Sequence, residues 1–181
     1  FTVHLSGASN ATISDANGTG TIVNDDAQPS FVIDDVSHSE GNSGTTSYVF
    51  TVTKVGTTAF GASVDFQTQD GSATLADVDY QSSTGTLNFA ATDVSKTITV
   101  LVNGDNSFEL DETFNVHLSN PSGATIGDAD GTGTIVNDDG APNFSIDSVS
   151  HNEGNSGTTS YVFTITRSGV SALVATVDYE T

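Results

Sequence analysis

Residues 39–53 read SEGNSGTTSYVFTVT, and this stretch carries the two features that decide the fold. Tyr48, Phe50 and Val52 alternate with smaller or polar residues, which is the period-two pattern of a β-strand with one buried face. The strand follows a loop of glycine, asparagine and serine that opens with Glu40. The same stretch returns at residues 152–166 as NEGNSGTTSYVFTIT, so the chain contains an internal repeat.

The repeat has a constant offset of 113 residues and contains no gap. Residues 1–68 align with residues 114–181, and 46 of the 68 pairs are identical. A period of this length exceeds that of solenoid repeats and is typical of an array of small domains that each bury a core. We therefore expect one complete unit at 27–139, the C-terminal part of a preceding unit at 1–26, and the N-terminal part of a following unit at 140–181. The two partial pieces together lack 45 residues of a unit, so we expect the chain to belong to something longer.

The complete unit reads as strands throughout, with short alternating apolar runs bounded by Gly, Asn, Asp and Ser. The residues expected to face inward are Phe31, Ile33, Val36, Tyr48, Phe50, Val52, Ala62, Val64, Phe66, Leu87, Phe89, Ile98, Val100, Val102, Phe114, Val116, Leu118, Ile126, Ile135 and Val136. We count about seven strands and no helical stripe. This pattern predicts an all-β fold, an immunoglobulin-like seven-stranded β-sandwich that is repeated with the 113-residue period. Cysteine is absent, so the burial of apolar surface must stabilise the fold, at roughly 25 cal/mol per Å².

The composition excludes several classes of partner and chemistry. The chain has 23 acidic and 3 basic residues, which gives a formal charge of −20. Such a surface repels nucleic acid and anionic membranes and attracts cations, and no apolar run is long enough to cross a bilayer. We find no cysteine nucleophile, no G-x-S-x-G elbow, no phosphate-binding glycine loop and no tryptophan for a sugar-binding cleft. We therefore expect no nucleic-acid partner, no membrane insertion in this segment and no enzymatic activity.

Acidic residues collect in the loops between the expected strands. Glu40 follows the first strand, Asp79 the third, residues 105–112 the fifth, and Asp138 and Asp139 the seventh. Because alternate loops of a sandwich lie at the same end, we expect these four segments to converge. Carboxylates held close together repel one another unless a cation neutralises them. Oxygen ligands without sulfur or paired histidines suit a hard cation, for which calcium is the natural candidate; the alternative is that the acids only keep the repeat soluble.

Four segments of the unit, taken in this order, resemble the Calx-beta domain. They are EGNSG at 40–44, VDFQTQDGSATLADVDY at 64–80, GTLNFAATD at 85–93, and FELDETFNVHLSNPSGATIGDADGTGTIVNDD at 108–139. The resemblance extends over both partial copies. It implies a seven-stranded sandwich of the kind best known from the calcium-sensing region of sodium/calcium exchangers, and similar domains occur in tandem in large bacterial surface proteins and adhesins.

The resemblance also implies a set of calcium ligands. Ser107 matches a position that offers a backbone carbonyl, and seven acids match positions that supply carboxylates: Glu40, Asp79, Asp105, Glu109, Glu112, Asp138 and Asp139. Gly104 and Asn137 stand where the exchanger pattern has acids. Fewer carboxylates imply fewer or more weakly bound ions, and we expect one to three calcium ions per unit. In the partial copies, Asp25, Asp26 and Glu153 correspond to expected ligands of the complete unit. The partial copies lack the other expected ligands in this chain.

The linkers VNDDAQPS at 23–30 and VNDDGAPN at 136–143 are short, and Pro29 and Pro142 restrict them. Because the chain leaves each unit beside the acidic tip, bound calcium would lie at the junction between units. We therefore expect a calcium-rigidified stalk or fibre outside a microbial cell, in an adhesin or a biofilm matrix, with neighbouring repeats as partners. Two alternatives stay open: a calcium-dependent module for cell-surface glycans or a receptor, and a polymer subunit whose edge strands are completed by neighbouring copies.

Overall fold

The computed structural model describes all of residues 1–181 and contains strands but no helix. It therefore holds no helix that is long and apolar enough to cross a membrane. The strands, in chain order, are β1 (Thr2–His4), β2 (Asn17–Thr19), β3 (Ser30–Ile33), β4 (Val36–Ser39), β5 (Gly44–Val55), β6 (Ala62–Asp70), β7 (Thr84–Phe89), β8 (Ser95–Gly104), β9 (Ser107–Phe108), β10 (Glu112–Ser122), β11 (Thr125–Ile126), β12 (Asp130–Val136), β13 (Asn143–Ile146), β14 (Ile165–Ser168) and β15 (Val170–Ser171).

Two sheets form a β-sandwich between β3 and β12. One sheet has the strand order β4-β12-β10-β6-β7, and the other has the order β11-β3-β5-β8. Neighbouring strands are antiparallel except in the pairs β4/β12 and β3/β11, which are parallel. The expected all-β sandwich is confirmed.

The two sheets contain nine strands rather than the expected seven, partly because the first strand is divided between them. β3 pairs with β5 in one sheet, and β4 pairs with β12 in the other. The chain crosses from one sheet to the other at Asp34 and Asp35, and the carboxylate of each accepts a hydrogen bond from a different sheet. Oδ1 of Asp34 accepts the backbone N–H of Thr51 in β5 at 2.6 Å, and Oδ1 of Asp35 accepts that of Thr132 in β12 at 2.7 Å. The short strand β11 is the second strand beyond the expected seven.

Eighteen apolar residues between Phe31 and Ile135 form a single hydrophobic core, which contains most of the side chains expected to face inward. Phe114 lies at its centre and is fully buried. Its ring stacks on that of Tyr80 with a centroid distance of 4.7 Å and contacts the ring of Phe50 at 6.0 Å. A Cβ at position 133 would lie 2.4 Å from the Phe114 ring, so only glycine leaves room for it. Every core residue lies within this segment, so the sandwich has a hydrophobic core built from its own residues.

The two end pieces repeat the pairings of the sandwich at the 113-residue offset. β1 pairs with β2 as Thr2↔Thr19, and β10 pairs with β12 as Asn115↔Thr132. β13 pairs with β14 in the register that β3 and β5 adopt. The core face of these pieces is uncovered, however, and Phe1 is 75% exposed whereas its counterpart in β10 is fully buried.

Candidate metal centre

The acidic loops converge at one end of the sandwich, as the alternation of strands predicts. Gly44 at the start of β5 pairs with Gly104 at the end of β8 and marks this end. The loops that follow β4, β6 and β8 enclose a cleft of about 640 Å³ there. Its acidic lining consists of Glu40, Asp77, Asp79, Asp105, Glu109 and Glu112. We call this end of the molecule the acidic tip.

Three carboxylates lie closest together within the tip. Asp79, Glu109 and Glu112 each place an oxygen within 4.8 Å of the other two, and all three side chains are half-buried. Asp79 is held from both sides, because its Oδ2 accepts the backbone N–H of Thr74 at 2.7 Å and its carbonyl accepts that of Asn103 at 2.8 Å. These contacts fix Asp79 before any ion arrives, and a preorganised ligand of this kind favours metal binding.

The turn that carries Asp77 and Asp79 is strained. Val78, between them, has a φ of 70°, in the left-handed region that β-branched residues rarely adopt. Asn103 stabilises this conformation by donating its Nδ2 hydrogen to the Val78 carbonyl at 2.5 Å. Backbone strain of this kind concentrates at functional sites.

Glu40 is the most deeply buried acid of the tip and is only 6% exposed. Its burial, together with the nearby charges of Glu109, Asp105, Asp139 and Asp138, raises its pKa from 4.5 to about 7. This carboxyl group resists ionisation first because it is buried and then because its neighbours carry negative charge. A bound cation would reverse that effect.

The other acids of the tip show the same crowding. Burial raises the pKa of Glu112 to about 7, with further contributions from the charges of Asp79 and Glu109. Burial, followed by repulsion from Asp105 and Asp79, raises the pKa of Glu109. The pKa of Asp139 is raised by desolvation first and then by Asp138 and Asp105. Mutual repulsion therefore involves all of these loops at once.

Asp138 and Asp139 join the tip from the end of β12. Oδ1 of Asp138 accepts the backbone N–H of Gly41 at 3.3 Å, and Oδ1 of Asp139 accepts an Nδ2 hydrogen of Asn42 at 2.8 Å. The second oxygen of Asp139, Oδ2, is shielded from solvent and has no hydrogen-bond partner. A buried carboxylate oxygen without a donor is destabilising, and a cation would satisfy it.

Gly104 and Asn137, the two departures from the exchanger pattern, have structural roles here. A Cβ at position 104 would lie 1.9 Å from the carbonyl oxygen of Gly41, so the loop that carries Glu40 packs where any larger residue would stand. Oδ1 of Asn137 accepts the backbone N–H of Glu109 at 3.0 Å, and its Nδ2 donates to the carbonyl of Asp139 at 3.0 Å. Asn137 thus ties two acidic loops together.

The structure brings together the seven acids that the sequence singled out, whereas Ser107 lies beside the cleft in β9. The backbone N–H of Ser107 donates to Oδ1 of Asp105 at 2.6 Å, and Ser107 pairs with Val170. Its role as a carbonyl ligand stays a prediction. Asp77, which lines the cleft, was missing from the predicted set. Its position in the same ADVDY loop, two residues before Asp79, is the signal that pointed to it.

The donor set fits a hard divalent cation. It offers only oxygen atoms, from carboxylates on four loops, and it includes the unpartnered Oδ2 of Asp139. Nitrogen and sulfur ligands, which zinc and copper prefer, are absent from the cleft lining. Calcium accepts roughly six to eight oxygens in flexible geometry, which suits a cleft built from loops.

Comparison with known proteins gives the family. The sequence profile of the Calx-beta domain matches residues 24–140. The apo-form Calx CBD1 domain is similar in structure, with a TM-score of 0.57 and 27% identity over 62% of this chain and 100% of that one. CBD12 from CALX1.2 has a TM-score of 0.55 and 28% identity, and the match covers 60% of this chain and 45% of that one. The calcium binding domain CBD12 of CALX1.1 has a TM-score of 0.54 and 28% identity, and the match covers 60% of this chain and 44% of that one.

This chain thus spans less than half the length of the two CBD12 structures. No curated protein sequence matches it. The profile match covers more than half of the chain, and the acidic tip lies inside it. The chain therefore belongs to the Calx-beta domain family.

Proposed function

We propose that residues 27–139 form a calcium-binding structural unit of a tandem array, and that calcium at the acidic tip fixes the junction with the next unit. The proposed ligands are the carboxylates of Glu40, Asp79, Asp105, Glu109, Glu112, Asp138 and Asp139, the carbonyl of Ser107, and, in addition, the carboxylate of Asp77. The observation that carries the proposal is the triad Asp79, Glu109 and Glu112, whose carboxylate oxygens lie within 4.8 Å of one another. A similar structure, CBD12 of CALX1.1, is described as a calcium binding domain, which supports the choice of ion.

The connection to the next unit begins at the tip itself. Asp138 and Asp139 bond to the loop that follows β4, and Asn137 bonds to the loop before β10. Pro142, three residues after Asp139, restricts the linker further. A cation bound among these residues would hold the first residues of the linker against the sandwich, and this would limit the angle between successive units.

We place the array outside a microbial cell, as part of a stalk, an adhesin or a matrix fibre. Near-identical repetition supports this role, because a spacer tolerates identical units. The charge of −20 would keep such an array soluble. A glycan-binding role has less support, since the cleft is lined by acids and contains no aromatic ring on which a sugar could stack.

A second candidate function has one observation in its favour. Both end pieces expose apolar residues that are buried at the equivalent positions of the sandwich, including Phe1 at 75% and Phe163 at 53% exposure. Neighbouring copies could cover these faces by strand addition and form a polymer. Sedimentation of the chain over a range of concentrations tests this candidate: self-association supports it, and a monomer at all concentrations contradicts it.

The main proposal is tested on a chain of several units with and without calcium. We expect calcium to lengthen the particle in small-angle X-ray scattering and to raise its melting temperature, because the ion binds only the folded tip. The double variant Glu109→Gln/Glu112→Gln should lose both effects. As a control for the stability effect, Glu153→Gln in the 181-residue chain should leave the calcium-dependent rise in melting temperature unchanged. Identical scattering curves in calcium and in chelator would refute the mechanical role.

A further inference from the structure

The C-terminal piece contacts the acidic tip through one short segment. β15 pairs in parallel with β9, as Val170↔Ser107 and Ser171↔Phe108. The carbonyl oxygen of Phe108 accepts two hydrogen bonds, from the backbone N–H of Ala172 at 3.3 Å and from the hydroxyl of Ser171 at 3.0 Å. β9 belongs to neither sheet of the sandwich, so its edge is open to such a strand.

The docked segment also closes one side of the cleft. Ala172 and Leu173 line it together with the acids of the tip. β9 belongs to the complete unit, and β15 belongs to the C-terminal piece, which repeats the first strands of that unit. The paired residues are more than sixty positions apart in the sequence. This pairing therefore has the position of a contact between consecutive units.

The turn that carries β15 packs against the linker through a glycine–proline contact, and the same contact occurs at the equivalent position of the sandwich. Gly169, with a φ of 90°, turns the chain against Pro142, whose Cα would lie 3.0 Å from a Cβ at position 169. Gly56 has a φ of 94° and lies against Pro29 in the same way, with a corresponding distance of 3.3 Å. Glycine is required at both positions by its φ and by the proximity of the proline. The turn after the second strand of a unit is thus fixed to the linker that enters that unit.

The equivalent turn of the sandwich, Thr57–Phe60, has the same internal bond but pairs with no strand. The hydroxyl of Thr58 accepts the backbone N–H of Phe60 at 3.2 Å, as the hydroxyl of Ser171 accepts that of Leu173 at 2.9 Å. The ring of Phe60, at the position of Leu173, is 79% exposed. Residues 1–26 contain counterparts of β10 and β12 but none of β9, so no strand of this chain pairs with the turn. Asn24, Asp26 and Ala27 lie beside it, and they leave Phe60 exposed.

We propose that Thr57–Phe60 is the surface by which a unit docks on the β9 edge of the unit before it, with Phe60 closing the preceding acidic cleft. The occupant is a second copy of the sandwich, which presents Ser107–Phe108. The proposal rests on the tandem arrangement of the proposed function, but it does not require calcium. Thr58 would donate its hydroxyl hydrogen to the preceding unit's counterpart of the Phe108 carbonyl, as Ser171 does here.

The observed contact is tested by cysteine cross-linking, since the chain contains no cysteine of its own. In the 181-residue chain, Ser107→Cys with Val170→Cys should cross-link with a short bis-maleimide, to which each thiolate adds, at least ten times faster than Ser107→Cys with Thr57→Cys. The control pair cannot react within one molecule, because the twelve residues of β5 separate its members by roughly 35 Å. Adding Ala172→Pro removes the N–H that bonds to Phe108 and should slow the first reaction.

The inferred surface is tested in a chain in which residues 27–139 are followed directly by a second copy of 27–139. Ser107→Cys in the first copy should cross-link with Thr57→Cys in the second, and Phe60→Ser in the second copy should slow the reaction several-fold. No reaction above the single-copy control would overturn the docking proposal, whether or not calcium binds. Equal cross-linking in calcium and in chelator would support docking and contradict only the stiffening role of calcium.

Discussion

Replacing Glu40 by glutamine should have effects of opposite sign with and without calcium. Glu40 is 6% exposed, and the charges of four other acids act on it. The substitution keeps the shape of the side chain and removes the charge. It also keeps the contact of the loop with β5, because the Thr46 hydroxyl donates to the backbone carbonyl of residue 40.

The magnitude follows from the pKa of Glu40, which is raised from 4.5 to about 7. At about 1.4 kcal/mol per pKa unit, the ionised folded protein carries roughly 3 kcal/mol of unfavourable free energy from this group. Solvent and counter-ions screen part of the repulsion in an open cleft. We therefore expect Glu40→Gln to raise the free energy of unfolding by about 1–2 kcal/mol at pH 8 in chelator. In calcium the lost ligand should weaken binding, and a tenfold weaker affinity lowers the calcium-dependent stabilisation by about 1.4 kcal/mol.

Urea denaturation of wild type and variant, in chelator and in excess calcium, measures both effects. The control is Glu153→Gln, which lies in the same EGNSG sequence and retains the equivalent bond between Thr159 and the backbone carbonyl of residue 153. Its side chain is exposed and far from the triad in sequence, so we expect a change within about 0.5 kcal/mol under both conditions. A destabilised Glu40→Gln in chelator, or an unchanged response to calcium, would refute the argument that repulsion and metal binding involve the same carboxylates.

Three further predictions concern the sandwich. Without calcium, the raised pKa values of Glu40 and Glu112 mean that these two groups bind more protons in the folded state than in the unfolded state. Their contribution to stability is therefore complete below about pH 4.5 and is lost as the pH rises through 7, so urea midpoints should fall between these values and fall less in Glu40→Gln. Gly104→Ala should destabilise by about 2 kcal/mol or more in urea denaturation, because its Cβ would meet a backbone carbonyl at 1.9 Å, whereas Gly140→Ala, with open space around it, should be neutral. Lys54→Met should cost about 1–3 kcal/mol by the same measurement, because the buried ammonium group donates to two backbone carbonyls at 2.9 Å that would lose their partner.

The alternation of apolar residues was sufficient to predict the all-β sandwich and the end of it at which the acids meet. Phe114 and Val116 face the core, and each lies between two polar neighbours in the sequence, so the alternation itself predicts their burial. Once the strands are counted, the grouping of alternate loops follows from topology. Convergence of the acidic loops was therefore predictable without coordinates.

Other features depend on backbone conformation that the pattern does not encode. The first strand changes sheets at Asp34 and Asp35, two exposed acids whose carboxylates accept backbone N–H groups of opposite sheets. Val78, between Asp77 and Asp79, adopts a positive φ, which a β-branched residue gives no reason to expect. Gly104 read as a lost ligand, but a backbone contact excludes any side chain there.

The central claim is that the acidic tip holds calcium, and a crystal structure of the 181-residue chain grown in excess calcium tests it most directly. Anomalous scattering identifies the ion independently of its coordination. We predict at least one calcium peak coordinated by oxygens of Asp79, Glu109 and Glu112, with Oδ2 of Asp139 bound to an ion in the same cleft. Well-ordered carboxylates with only water between them at saturating calcium would contradict the account.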